Sequence, residues 1–393
     1  MNVKKIREDF PLLKGNKPPV YFDNACTTLR PSAVLNKMKE YYELYPSCGG
    51  RSHHKIGTKV TEEVIKARMV AADFFNAKKD SEIVFTRNTT EGLNLVAHSL
   101  GLKKGDKVLT SDKEHNSNLV PWLLMAKTHG IKHEIFKFGD MEDFKKKVKN
   151  TRLVSIVHSS NVDGTTQNAR EMIKIAHDAG ALVMLDAAQS APHKEVDVRK
   201  LDVDFLACSG HKMLRPSGMG ILYGKQELLE KLSQFIVGGE TVTNTTYDSF
   251  IPEKVPEKFE AGLQNYGGIV GFAEALKYLQ KIGLNDVEKH ELELNKRLSE
   301  GLSSLGVHIL GPKNPELRGG IVSFNVGKMS SHEVALMLDN YNIAVRSGMH
   351  CVHSWFNAHK LAGSARASLY LYNTPEEVDF MIEKMKDIAK LAK

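Results

Sequence analysis

Cysteine is scarce in this chain: four residues in 393, Cys26, Cys48, Cys208 and Cys351, lie far apart and form no C-x-x-C pair. That spacing argues against a disulfide framework and against the paired ligands of a structural zinc site. No run is long and apolar enough to span a membrane, and the stretch "MNVKKIREDF" lacks the apolar centre of a secretion signal. Blocks of one charge are missing too. The net charge is +7, and the densest basic run, "DFKKKVKN" at 143–150, reads as the wet face of a helix. No nucleic-acid module accompanies it, so neither nucleic acid nor a membrane is expected as a partner. Internal repeats and low-complexity segments are absent as well. A reducing cytoplasm is the expected location.

What is present has the balance of a globular enzyme, with 41% apolar and 26% charged residues. The length exceeds what one hydrophobic core usually serves, so two domains are expected. Between about residues 80 and 225, the runs "SEIVFT", "DKVLTS", "RLVSIVH", "ALVMLD", "VDFLAC" and "MGILYG" read as strands. Helical patterns such as "EGLNLVAHSLGL" and "AREMIKIAHDAG" lie between several of them. This alternation predicts an α/β fold with a mostly parallel sheet sandwiched by helices, and the near-continuous apolar strands fit burial on both faces. From about residue 270 a long helical stretch leads to "GGIVSFNV", "NIAVRSG" and "ARASLYLY", the texture of a smaller α+β domain. The expected division is an N-terminal arm over 1–20 packing with the small domain, a large domain over 21–270 and a small domain over 271–393.

Ligands of an open parallel sheet bind beyond the carboxyl ends of its strands. The residues delivered there form a set. "VLTSDKEHNSN" brings His115, "VSIVHSSNVDGT" brings Asn161, and "LVMLDAAQSAP" brings Asp186 and Gln189. "FLACSGHK" brings Ser209, His211 and Lys212, while Thr89 and Thr90 open the helix after "IVFT". A lysine at the end of a buried strand must hold an ammonium near a dry interior or do covalent chemistry. Pyridoxal 5'-phosphate chemistry uses this whole set: a lysine to carry the cofactor, an acid at the ring nitrogen and an anion cradle. Lys212 supplies the first, Asp186 the second, and Thr89, Thr90, Ser209 and His211 the third. His115 is expected over the ring face and Gln189 at the ring hydroxyl.

Ordered motifs along nearly the whole chain, among them "YFDNACTTLRP", "TTEGLNLVA", "LDAAQSAPH", "SGHKMLRPSGMGILYG", "FEAGLQN" and "RSGMHC", resemble the SUF-type (group II) cysteine desulfurases. These belong to the class V aminotransferase-like superfamily of fold-type I enzymes. The resemblance implies a homodimer that converts L-cysteine to L-alanine, with sulfur carried as a persulfide on Cys351. It implies Lys212 as the proton-moving base, His115 near the substrate sulfur, and Arg366, Asn161 and Arg346 around the substrate. It also implies a sulfur-acceptor or scaffold protein of iron–sulfur cluster or thio-cofactor assembly. His350, His353 and Arg346 are expected to favour a Cys351 thiolate; a metal site at His350, Cys351 and His353 lacks a second ligand cluster and is not expected. Selenocysteine lyase is the nearest alternative activity, and a class V aminotransferase or β-lyase with an incidental Cys351 is another. Four positions depart from the family pattern: Leu263 for threonine, Asn116 for histidine, Met349 for histidine and Arg215 for glycine. Arg215 is expected to restore phosphate anchoring lost at Leu263. Cys26 stands in place of an alanine and reads as a small packed residue, and Cys48 as a loop cysteine.

Overall fold

A computed structural model describes residues 1–392 of the protein. Its largest element is a seven-stranded sheet ordered Ile83–Thr86, Gly220–Gly224, Phe205–Ser209, Leu182–Asp186, Leu153–Val157, Lys107–Ser111 and Lys132–Phe136. Neighbouring strands run parallel except Gly220–Gly224, which is antiparallel to both of its neighbours. The six strands expected from their apolar runs all lie in this sheet. Four of the central ones, such as Leu153–Val157 and Phe205–Ser209, are buried nearly throughout because helices cover both faces. At about 1.5–3 kcal/mol for each large aliphatic side chain removed from water, this sheet is the main source of cohesion.

The strand Lys132–Phe136 was not among those expected. Its sequence, KHEIF, is mostly exposed on the sheet's outer edge, and charged side chains of this kind blunt an unpaired edge. The basic run at 143–150 lies largely on the helix Met141–Lys147, whose N-cap Asp140 accepts from the Asp143 N–H.

A second sheet of four antiparallel strands is ordered His308–Ile309, Ile321–Asn325, Ser364–Ser368 and Arg346–Gly348. Val322, Phe324, Ala365 and Ala367 from this sheet join Leu294, Leu298, Val378 and Met381 from the helices Leu284–Ser304 and Pro375–Leu391 in a separate core. The helix Tyr266–Ile282 packs against the helices Ser32–Leu44 and Lys55–Phe75, and its glycines admit close packing. A Cβ on Gly267 would stand 2.8 Å from the Tyr42 ring, and one on Gly271 would stand 2.6 Å from Met38.

The N-terminal segment ties the parts together. Arg7 bonds the Tyr372 carbonyl at 2.7 Å and Glu377 at 2.8 Å, and Val20–Tyr21 pairs in parallel with Ile343–Ala344. The chain then crosses to the large sheet, where the Thr28 N–H donates to the His211 carbonyl at 2.9 Å. The segment 23–28 therefore lies where the carboxyl edge of the large sheet meets the small one.

Candidate active site

The strand Phe205–Ser209 breaks at once into a single tight turn, Gly210–Lys212. Gly210 is required there, because a Cβ would stand 2.5 Å from the Arg215 side chain. The turn delivers Lys212 into a pocket it shares with Asp186, His115, Arg366 and Cys351. Burial pushes the Lys212 pKa down to about 8, with Arg366 acting in the same direction and Asp186 against it. About a tenth of the amine is thus unprotonated at pH 7, far more than for a free lysine, which favours a role as nucleophile or base.

Asp186 ends its strand 2% exposed, and one carboxylate oxygen accepts the Ala188 N–H at 2.9 Å. Burial raises its pKa, opposed by that N–H and by the charge of Lys212. Gln189 donates from Nε2 to the Ala25 carbonyl at 2.8 Å, while its Oε1 has no partner among the described residues. Asn161 is similar, with Nδ2 on the His350 carbonyl at 2.7 Å and Oδ1 unpartnered. The pocket therefore contains buried acceptors that call for donors.

The opposite wall is a hydroxyl cluster at a helix N-terminus. The helix Thr89–Ser99 is capped by Asn88, and the Thr89 N–H donates to Ser209 Oγ at 2.9 Å. Thr90 Oγ1 lies 2.7 Å from Ser117 Oγ. Hydroxyls and a positive helix end together suit an anion. His211 also lines the pocket, and burial pushes its pKa down to about 4, so its ring is neutral at physiological pH.

His115 caps the helix Asn116–His129, accepting the Ser117 N–H at its Nδ1. That bond assigns the proton of the neutral ring to Nε2. Burial, followed by the charges of Lys212 and Arg366, pushes the His115 pKa down to about 3.

Arg366, 2% exposed on the strand Ser364–Ser368, donates from Nη1 to the Asn161 carbonyl at 2.9 Å. Its Nε has no partner among the described residues, and Asp23 stands 3.7 Å from its Nη2. Burial pushes its pKa down to about 10, still well above neutrality. Arg346 faces Arg366 across the two strands but is differently placed. Asp23 already grips it at 3.0 Å and 3.1 Å from Nε and 2.9 Å from Nη2. One arginine of the pair is thus committed and the other open to an anion.

Cys351 is exposed and follows His350, and both hold left-handed backbone angles, φ 58° and 50°. Such angles in non-glycine residues are held only by surrounding contacts. Here the Asn116 N–H donates to the Cys351 carbonyl at 2.7 Å, and Asn116 Nδ2 lies 3.0 Å from His353 Nδ1. Trp355 is covered by the Lys113 ammonium at 5.2 Å, itself paired with Asp163 at 2.7 Å. Met349 packs against the small cluster of Val162, Val352 and Phe356.

Two expectations require correction. Arg215 does not line the pocket: its side chain is fully buried, its guanidinium sits 3.5 Å from the centre of the Phe272 ring, and its nitrogens have no hydrogen-bond partners among the described residues. It therefore cannot restore anchoring of a phosphate in this pocket. His350 does not supply charge to Cys351 either, because burial pushes its pKa down to about 2. The cations that line the pocket with Cys351 are Lys212, Arg346 and Arg366. Sequence reasoning also missed Asp23, Ser117 and the placement of Cys26, which lines the same pocket as Cys351. Leu263 is exposed.

The family model for class-V aminotransferases matches residues 20–381. A probable cysteine desulfurase of Pyrococcus abyssi is 41% identical over 395 residues, covering 98% of this chain and 97% of the relative. The apo structure of a cysteine desulfurase from Thermococcus onnurineus NA1 superposes with a TM-score of 0.95 at 41% identity, covering 98% of each chain. The S-sulfonic acid form of the Escherichia coli cysteine desulfurase CsdA gives a TM-score of 0.91 at 32% identity, covering 100% of this chain and 99% of the other.

Proposed function

The chain belongs to the class-V aminotransferase family, among the cysteine desulfurases, and we propose that its pocket binds pyridoxal 5'-phosphate and takes the sulfur of L-cysteine onto Cys351. The donor set fits that cofactor. Asp186, a buried carboxylate with one backbone partner, suits a protonated ring nitrogen, and the orphaned Gln189 Oε1 suits the ring hydroxyl. Thr89, Thr90, Ser209 and His211 suit the phosphate, His115 the ring face, and Lys212 the covalent link. Bound there, the cofactor supplies an electron sink for the carbon that bears the substrate amino group.

The chain's own groups do the rest. Arg366 takes the substrate carboxylate, its charge intact and its Nε available. Arg346 shapes the same wall while held by Asp23. Asn161 ties the two together, its backbone carbonyl on Arg366 and its side chain on the His350 carbonyl of the cysteine loop. Lys212 Nζ, with its lowered pKa, takes and returns the proton of the substrate α-carbon. His115 holds a hydrogen at Nε2 for the substrate's polar atoms. The Cys351 thiolate attacks the substrate sulfur; an S–S bond forms as the carbon–sulfur bond breaks, and alanine leaves after protonation.

The observation that carries this reading is the meeting of Lys212 and Asp186 from one sheet with Arg366 and Cys351 from beyond residue 340 in one pocket. A homodimer, a cytoplasmic location and a sulfur-accepting scaffold protein of iron–sulfur or thio-cofactor assembly complete the proposal. The exposed apolar residues Phe250, Ile251 and Leu263 support the dimer, and the exposure of Cys351 supports an external acceptor. The free state of all four cysteines supports the cytoplasm. The test is alanine formation from L-cysteine, compared with selenocysteine, by wild type and Cys351→Ser. Loss of the cysteine reaction in the variant is expected. Full alanine formation in the variant with selenocysteine favoured would indicate selenocysteine lyase instead, and a keto acid in place of alanine would place the protein with the aminotransferases or β-lyases.

A further inference from the structure

Cys26 belongs to none of the apolar clusters that take up the chain's packed side chains. Cys208 shows the contrast: it is fully buried in the main core, where burial pushes its thiol up to about 12. Cys26 is only half-buried and lines the pocket with Cys351 and Lys212. Its position is fixed from both sides. The Ala25 N–H donates to Ser368 Oγ at 2.8 Å and the Ala25 carbonyl accepts from Gln189. On the other side, the Thr27 and Thr28 hydroxyls donate to the carbonyl of His211, the residue before Lys212. The pocket it faces also contains buried polar atoms without partners, Gln189 Oε1, Asn161 Oδ1 and Arg366 Nε. Two thiols thus line one pocket together with Lys212 and Arg366. Arg346, Asp23 and Tyr21 stand around Cys26 as well.

We propose that Cys26 is a second sulfur carrier, loaded from the Cys351 persulfide inside the pocket. This rests on Cys351 being the first sulfur acceptor. The Cys26 thiolate attacks the outer sulfur of the persulfide; a new S–S bond forms at Cys26 Sγ, and the bond from that sulfur to Cys351 Sγ breaks. Cys351 leaves as a thiolate, so a persulfide and a thiolate exchange places with no net oxidation or reduction. Cys351 is then free for a second turnover before any acceptor arrives.

The test is a rapid-quench time course of the cofactor-loaded full chain with L-cysteine under anaerobic conditions and without acceptor. Persulfides are trapped by alkylation and mapped by peptide mass, and alanine is counted in parallel. Wild type is expected to show sulfur first on the Cys351 peptide and then on the Cys26 peptide. The alanine burst in Cys26→Ala is expected to fall about twofold, the two-carrier stoichiometry reduced to one. Sulfur on Cys351 alone in wild type, or equal bursts, would overturn the second carrier and leave the desulfurase reading standing. Sulfur on Cys26 in Cys351→Ala would overturn the relay, since it would show loading directly from substrate. Absence of both alanine and sulfur on either peptide of wild type would overturn the desulfurase reading and the relay together.

Discussion

Arg366 and Arg346 face each other across two antiparallel strands, yet only one is free to bind a carboxylate, and replacing each by lysine separates them. Arg366→Lys keeps the charge but removes the planar fork, so one of two charge-assisted hydrogen bonds to the substrate is lost. It also withdraws the 2.9 Å donor from the Asn161 carbonyl. A charge-assisted bond is worth about 1.5–3 kcal/mol, which predicts a fall in kcat/KM for L-cysteine of about 10- to 150-fold. The loss should fall on kcat as well as KM, because the carboxylate is bonded to the α-carbon whose C–H bond breaks and its grip orients that bond. Arg346→Lys alters a side chain 43% exposed and already gripped by Asp23. Exposed pairs contribute at most about 1 kcal/mol, so kcat/KM should fall no more than about fivefold. The assay is alanine release under initial-rate conditions, with inhibition by L-alanine as an independent measure of carboxylate binding. If Arg366→Lys stays within about threefold of wild type, or Arg346→Lys is the more damaged, the assignment of the free guanidinium is wrong.

Three further outcomes follow from the same structure. Lys212 has a folded-state pKa of about 8, below its unfolded value, so the apoprotein bears a penalty below pH 8 that disappears as pH rises toward 10.5. Relative to Lys212→Met, denaturant unfolding of wild-type apoprotein should gain about 3 kcal/mol across that window, and a parallel pH dependence would contradict it. Arg215→Met should leave stability unchanged or raise it by about 1–2 kcal/mol, because it removes a buried guanidinium without hydrogen bonds while losing its stack on Phe272; a drop in the unfolding midpoint would show that the arginine is compensated. Asn116→Ala removes the bond to His353 but keeps the backbone bond to Cys351, so persulfide formation should slow about threefold to tenfold with L-alanine inhibition unchanged.

Much of the make-up of the carboxyl-edge pocket was legible because consecutive buried strands announce their own ends. Thr89, His115, Asn161, Asp186, Ser209 and Lys212 each lie at or shortly after an apolar run, and parallel-sheet topology brings those ends together. The pairing of Asp23 with Arg346 was not legible, since 323 positions separate them and neither has a local signal. Cys26 was misread for a related reason. Its neighbours are small, which suggests packing, and only the crossing of segment 23–28 over the sheet edge brings it, half-buried, to the pocket that Cys351 also lines. Arg215 was misread in the opposite sense: its loop adjoins Lys212, but the chain turns inward at Leu214, φ 62°, and carries the guanidinium under Phe272. His350 sits next to Cys351 in sequence, yet its ring is buried against Ser364 at 2.9 Å and carries no charge. The strand Lys132–Phe136 escaped because an exposed edge strand has no continuous apolar run.

The most direct test of the account is intact-mass and alanine analysis of the cofactor-loaded protein after anaerobic incubation with L-cysteine, run beside Cys351→Ala. Wild type should release alanine while gaining sulfur that maps to Cys351, and the variant should do neither. Alanine release without sulfur on Cys351, or release that survives Cys351→Ala, would contradict the assignment of Cys351 as the sulfur acceptor.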